Sequence, residues 1–288
     1  MSRFGLNTRK RFRKALLYLI SALVLTETLF PVVWTVFTAI RPEKELYKRI
    51  LVPRRLTLEH FLCIFRPGTF HQVESRGFGR YMLNSFIVAS SVAFIGVLLS
   101  TFAAYSIARM KYRGKNVISV ILLFAYLFPG VVLMAPIYLM FSTLNLLNTY
   151  HGLIIVHLAV NIPFATWILS GYFQGIPPEL EEAAMVDGCS RLGAIFRMIL
   201  PVSIPGIITA AIYIFTRSWD DLIFPMILFT EEDLYTLPLV SLNLIYGEYI
   251  KWGQLMAAAV TSAAVPAILY MYVQKYLVRG LTAGAVKG

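Results

Sequence analysis

Apolar residues fall in six long runs separated by polar stretches, at about 15–40, 82–108, 117–143, 152–176, 202–229 and 255–278. Each run is long enough for the roughly 20 residues that an α-helix needs to cross a hydrocarbon core. The pattern predicts an all-α, polytopic membrane protein with six transmembrane helices. The first run follows a basic leader, but a secretory signal carries only about 7–15 apolar residues. This run is longer and lacks a small-x-small cleavage site, so it reads as a retained anchor. The fifth run is the least uniform, because Arg217, Asp220 and Asp221 interrupt it. Two polar regions stand out from the rhythm, a long loop at 41–80 and a segment at 177–201.

Charge orients the spans. Arg3, Arg9, Lys10, Arg11, Arg13 and Lys14 precede the first run without any acid, and Arg109, Lys111, Arg113 and Lys115 fill the link after the second. The link 144–151 has no Lys or Arg, and the link between runs five and six sets Lys251 against Glu231, Glu232, Asp233 and Glu248. Basic residues concentrate in cytoplasmic links, so both termini and the segment 177–201 are expected in the cytoplasm. The loop 41–80 runs against this, being expected outside although it holds nine basic residues; long loops respond less to the rule.

Composition fits this picture: 58% of the 288 residues are hydrophobic and only 14% charged, against about 25% charged in a typical soluble domain. A net charge of +11 could suggest nucleic acid. The basic residues flank apolar runs, however, and so point to orientation and to contact with anionic membrane lipid. Cys63 and Cys189 are expected on opposite sides of the membrane, which argues against a disulfide between them. Seven prolines lie within the runs, Pro31, Pro129, Pro136, Pro163, Pro205, Pro225 and Pro266. Each alone fits ordinary membrane-helix irregularity, and together they favour a transporter over an anchor bundle. The organisation expected is a basic cytoplasmic leader at 1–14 and a single membrane domain at 15–288.

The segment 177–201 resolves into two short helices. Pro177 and Pro178 suit a helix start, and Glu179, Glu181 and Glu182 complement its N-terminal dipole. Gly188 is placed to end this helix in a left-handed conformation, and Ser190 to cap the next. Leu192, Ile195, Phe196 and Ile199 give the second helix an apolar face, and Pro201 is expected to stop it. Ala183 and Ala184 would leave a small-residue surface that another protein can approach closely, with Glu182 offering charge to a basic partner. An amphipathic helix lying on the membrane is the competing reading, but such helices are rich in Lys and Arg, whereas the first helix here is acidic.

These residues carry a resemblance. Glu182-Ala183-Ala184, then Gly188, then Leu200-Pro201 is similar to the EAA loop of membrane subunits of ATP-binding-cassette importers, departing from the pattern only where Met198 replaces Ile. Leu29-Phe30-Pro31-Val32-Val33-Trp34 with Arg41-Pro42, Asn84-Ser85, and Ala104-Tyr105-Ser106-Ile107-Ala108-Arg109 resemble the maltose-type carbohydrate permeases. So does the tail from Gln274 to Gly288, which is similar to that of the shorter permease subunit. The resemblance implies that Glu182, Ala183, Ala184, Asp187, Gly188, Leu200 and Pro201 form a coupling element that inserts into a cleft on an ATPase subunit. It also implies an extended C-terminal tail at 279–288 that reaches the ATPase interface. The implied assembly has a second, homologous permease subunit, two ATPase subunits and an extracytoplasmic solute-binding protein facing the loops 41–80 and 230–254. ATP and magnesium would be bound by the ATPase subunits, with no cofactor in this chain, which lacks a phosphate-binding Gly-Lys-Ser/Thr loop. The chain itself is expected to be a transport subunit, not an enzyme.

Polar residues inside spans are costly and often functional. Arg217, Asp220 and Asp221 are expected on one helix face with Trp219 among them. An aromatic ring edged by carboxylates suits a sugar, so Trp219, Asp220 and Asp221 are candidate pathway residues; an ion-paired packing cluster between subunits is the alternative. Asn84, His157, Asn161 and Gln174 read as helix–helix hydrogen-bonding residues, and Glu27 has no obvious partner in the sequence. Three alternatives remain: an importer for a polyol or glycerol-phosphate, an ion-coupled secondary transporter using Glu27 or the Asp220–Asp221 cluster, and a non-transporting scaffold or intramembrane enzyme.

Overall fold

The computed structural model describes residues 3–48, 53, 55–67, 77–245 and 250–285, so parts of both loops 41–80 and 230–254 lie outside the described residues. The described chain is helical: α1 (Arg3–Ala39), α2 (Glu43–Leu46), α3 (Glu59–Phe65), α4 (Phe78–Arg109), α5 (Lys115–Leu127), α6 (Met134–Thr143), α7 (Tyr150–Gln174), α8 (Glu179–Val186), α9 (Arg191–Ala194), α10 (Leu200–Val202), α11 (Ile204–Trp219), α12 (Ile223–Leu228), α13 (Leu237–Ser241) and α14 (Trp252–Ala285). Among the described residues, four helices are long and apolar enough to cross a membrane, and two bent pairs bring the total to as many as six.

The centre is a bundle of α4, α7 and α11. Val88, Val92, Leu153, Val156, Leu169 and Ile214 fill it. Small residues bring these helices together, as is common where lipid supplies no hydrophobic drive between helices. A Cβ on Gly96 would lie 3.0 Å from Ile214, and one on Gly206 only 2.6 Å from the ring of Tyr172. A second cluster, with Phe78, Phe215, Trp219, Leu237 and Ala257, joins α4 and α11 to α14. Helix α1 packs along α14, and its turns from Arg11 to Trp34 are exposed. The basic leader is continuous with the first span, since α1 begins at Arg3.

Two expected spans are not single rods. The third bends by 88° between α5 and α6, with Pro129 and a 3₁₀ turn at Gly130–Leu133 in the break. The fifth ends at Trp219 and resumes as α12 after Asp220–Leu222, and α10 meets α11 at a 78° bend. Proline placement explains the pattern. Pro136, Pro205 and Pro225 sit in the first turns of α6, α11 and α12, where the missing N–H has no intrahelical acceptor to lose. Pro31, Pro163 and Pro266 lie inside unbroken α1, α7 and α14. The prolines that mark breaks are thus helix starters, and the others are the irregularity that membrane helices tolerate.

The tail departs from expectation. Helix α14 continues to Ala285, so residues 279–285 are helical and not extended, and 286–288 lie outside the described residues. Gly280 and Gly284, each of which costs about 1 kcal/mol relative to Ala in a helix, both lie within α14.

Candidate functional site

The segment 177–201 packs against the end of the bundle where α4 finishes, with Ile195 and Ile199 in the central core. Helix α8 opens after Pro178 with Glu179, Glu181 and Glu182 in its first turn. It closes in a Schellman turn: the Cys189 N–H donates to the Ala184 carbonyl at 3.0 Å, the Gly188 N–H to that of Met185 at 3.1 Å, and Gly188 takes φ +88°. Ser190 then caps α9, its hydroxyl accepting from the Gly193 N–H at 3.1 Å. Both cap assignments read from the sequence are therefore realised. The second helix is less regular than expected, with a π turn at Ile195–Ile199 before α10, and Pro201 lies inside α10 without ending it. The ring of Pro201 crowds the preceding turn and supplies no N–H to it, and the wide turn sits where that mismatch falls. The chain bends by 78° at Ser203 instead.

The motif residues divide between two faces. Glu182, Ala183, Asp187 and Gly188 are exposed, whereas Ala184 is buried and faces inward. The expected small-residue surface is therefore carried by Ala183 and Gly188. Leu200 packs on the central core and Pro201 is exposed.

A residue that sequence reasoning passed over as a helix-start acid holds this loop to the bundle. Glu181 is 6% exposed. Its carboxylate accepts a hydrogen bond from the Tyr105 hydroxyl near the end of α4. It lies 4.0 Å from the Arg109 guanidinium and 3.8 Å from that of Arg191 on α9. Arg109 also donates to the Ile176 carbonyl, ahead of α8. The available signal was the pairing of Tyr105 and Arg109, four apart and so on one face at the end of α4.

Polar span residues are tied into the packing. The His157 Nε2 lies 3.1 Å from the Asp221 carboxylate, which also accepts from the Phe224 N–H at 3.1 Å and so caps α12. Because α11 stops at Trp219, Asp221 turns toward α7 and does not share a helix face with Arg217. Asn161 donates to the His157 carbonyl within α7 at 2.8 Å and lies 3.5 Å from the Ser218 hydroxyl on α11. Gln174 bonds only along its own helix, to Ser170, which corrects the helix–helix role expected of it. Trp219 is 1% exposed, stacks on Phe215 and donates its indole N–H to the Ser262 carbonyl at 3.1 Å. It borders a cavity of about 200 Å³ with Asp220, Ser241 and Ser262. Of the three candidate pathway residues, Asp220 alone is exposed beside this cavity. Glu27 is exposed on α1.

At the opposite end of the bundle, Asn84 donates to the carbonyls of Asp233 and Tyr235 at 2.8 and 2.9 Å and accepts from the Tyr150 hydroxyl at 2.8 Å. The neighbouring Ser85 accepts from the Leu237 N–H at 2.8 Å. These bonds fix the 233–237 segment on α4. In that segment, burial and the nearby Glu232 carboxylate push the Tyr235 phenol above its ordinary pKa.

A multi-span helical bundle with a capped two-helix loop packed at one end defines a polytopic helical membrane protein. The chain belongs to the family of binding-protein-dependent transport system inner membrane components, whose profile matches residues 96–283. It is 35% identical over 271 residues to the inner membrane ABC transporter permease protein YcjP of Escherichia coli, covering 93% of this chain and 94% of that one. It is 33% identical over 283 residues to the trehalose/maltose transport system permease protein MalG of Thermococcus litoralis, covering 97% and 99%. The fold is shared with a bacterial ABC transporter involved in import of the acidic polysaccharide alginate, at a TM-score of 0.76 and 20% identity, covering 96% of this chain and 98% of that one.

Proposed function

We propose that this chain is one permease subunit of an ATP-driven importer for a sugar or oligosaccharide, working by alternating access. The observation that carries the proposal is the exposed Glu182–Ala183–Gly188 face on a rigidly capped loop. It presents the Glu182 carboxylate and the small Ala183 and Gly188, with Val186 exposed beside them, at the end of a membrane bundle. Of two ATPase subunits, which bind ATP and magnesium, one seats this face in a cleft, and Glu182 pairs with a basic residue there. The loop and both termini lie in the cytoplasm, as the basic leader and the Arg109–Lys115 link favour. A second permease subunit covers exposed apolar surface, and an extracytoplasmic binding protein meets the loops 41–80 and 230–254.

A carbohydrate cargo is supported by relatives named as permeases for trehalose/maltose, for sulfoquinovosyl glycerol (34% identical over 278 residues) and for diacetylchitobiose (32% over 263 residues). Polyols and glycerol-phosphates are the neighbouring cargo class. The test is uptake of a labelled panel of sugars, polyols and glycerol-phosphates into vesicles holding the assembled importer with its binding protein. Uptake of a sugar that requires internal or external ATP on the ATPase face, and that survives collapse of ion gradients, is the expected result. Uptake that persists without ATP and stops when the gradients collapse refutes it in favour of ion coupling.

A further inference from the structure

Helix α4 is fastened at both ends by buried polar groups. At one end, Tyr105 and Arg109 hold Glu181, the residue next to the exposed Glu182. At the other, Asn84 and Ser85 hold the backbone of 233–237 through three hydrogen bonds. Asn84 and Tyr105 are 21 residues apart, which is about 30 Å along an unbroken helix. Among the long spans, α4 has no internal proline. It packs along both α7 and α11 at the centre of the bundle.

The chemistry at the Glu181 end suits a joint. A carboxylate in a buried position is retained only if paired and hydrogen-bonded, and here one acid serves three elements: α8, which bears it, α4 through Tyr105 and Arg109, and α9 through Arg191. The Glu181 side chain is 7% exposed and that of Arg109 10%, so the pair is shielded from water, while Arg191 at 57% closes the cluster from outside. Losing one partner from such a cluster leaves the other charge uncompensated, so separating α8 from the end of α4 is costly.

We propose that Glu181 is a positioning residue that locks the docking helix to α4, and that α4 acts as a connecting rod between the ATPase-facing loop and the 233–237 segment on the opposite side. The inference rests on the importer reading above. Its reach is distinct: it assigns signal transfer to one helix and its two joints. Occupancy at the 233–237 end then alters ATPase engagement at the Glu181 end, and the reverse holds by linkage.

The experiment uses the assembled importer in lipid vesicles, with its binding protein, and reads the ratio of binding-protein-stimulated to unstimulated ATP hydrolysis. Co-purification of the ATPase subunits is measured alongside. Glu181→Gln and Asn84→Ala are each expected to lower the stimulation ratio by about five-fold or more, the size of an ordinary coupling energy, with ATPase subunits co-purifying at wild-type proportion. The double variant is expected to lose no more than the stronger single variant, because both break one rod. Tyr105→Phe, which keeps every charge, is the second probe if Glu181→Gln does not assemble. Wild-type stimulation in Glu181→Gln or, failing its assembly, in Tyr105→Phe overturns the proposal. So does strict additivity, and so does loss of assembly in both variants, which makes Glu181 a folding residue only. Failure of the wild-type chain to co-purify with an ATPase instead sinks the importer reading itself.

Discussion

Replacing Gly188 tests the docking loop through a single backbone angle. Gly188 holds φ +88° as the residue that closes α8, and a Cβ added there meets nothing within 4 Å. A substitution therefore introduces backbone strain without any clash inside the chain. An L-residue in the left-handed region is disfavoured by about 1–2 kcal/mol, least for Asn. A β-branched residue is a marked outlier there. About 1 kcal/mol is expected for Gly188→Ala and about 2 kcal/mol or more for Gly188→Val, with Gly188→Asn close to glycine. Two kcal/mol is roughly a thirty-fold change in an equilibrium, enough to exhaust a coupling energy of about 1–3 kcal/mol. The assay is solute taken up per ATP hydrolysed in vesicles containing the full importer. The order expected is Gly and Asn together, Ala lower, and Val lowest by about ten-fold or more. If Asn is as damaging as Val, the glycine serves close approach of a partner and not the turn; if Val matches wild type, the turn does not carry coupling.

Other substitutions test separate contacts. Glu182→Lys reverses the exposed charge without touching the buried Glu181 cluster, and should abolish co-purification of the ATPase subunits while membrane insertion is unchanged; normal co-purification refutes the pairing role. Gly206→Val should lower the melting temperature in detergent, since even its Cβ would stand 2.6 Å from Tyr172 and overpacking costs about 1–3 kcal/mol; an unchanged melting temperature means α7 and α11 are not held as described. Asp221→Ala removes both the cap on Phe224 and the partner of His157, and about 2 kcal/mol is expected from leaving such groups unsatisfied. Asp221→Asn keeps an acceptor and should melt near wild type, so equal losses in the two variants refute the bonding role.

The parts of this molecule legible in the sequence are those written in local chemistry. Six apolar runs announce the spans because a bilayer demands an unbroken stretch of about 20 apolar residues. Gly188 and Ser190 announce their turns because left-handed backbone and an N-cap each favour few residue types. What stayed hidden depends on residues distant in the chain. Nothing near Glu181 distinguishes it from Glu182, since both are acids in one first turn; only the fold sets Glu181 against Tyr105, 76 positions earlier, and leaves Glu182 in the open. The same holds for Asp221. Spacing alone puts it on a face with Arg217, but the helix ends at Trp219 and hands it to His157, 64 positions away. Trp219 carries the same lesson for the candidate pathway. An indole followed by two acids looks like a sugar platform in sequence, yet it is 1% exposed, stacked on Phe215 and bonded to Ser262, which ties it into the packing beside the cavity. A pathway along this wall would therefore be read by Asp220, Ser241 and Ser262, whose polar groups suit hydroxyl-rich cargo, and Asp220→Ala should alter uptake of the favoured solute while Trp219→Phe acts mainly on stability. The reverse result, with Trp219→Phe changing cargo preference at unchanged melting temperature, would restore the ring as the binding surface.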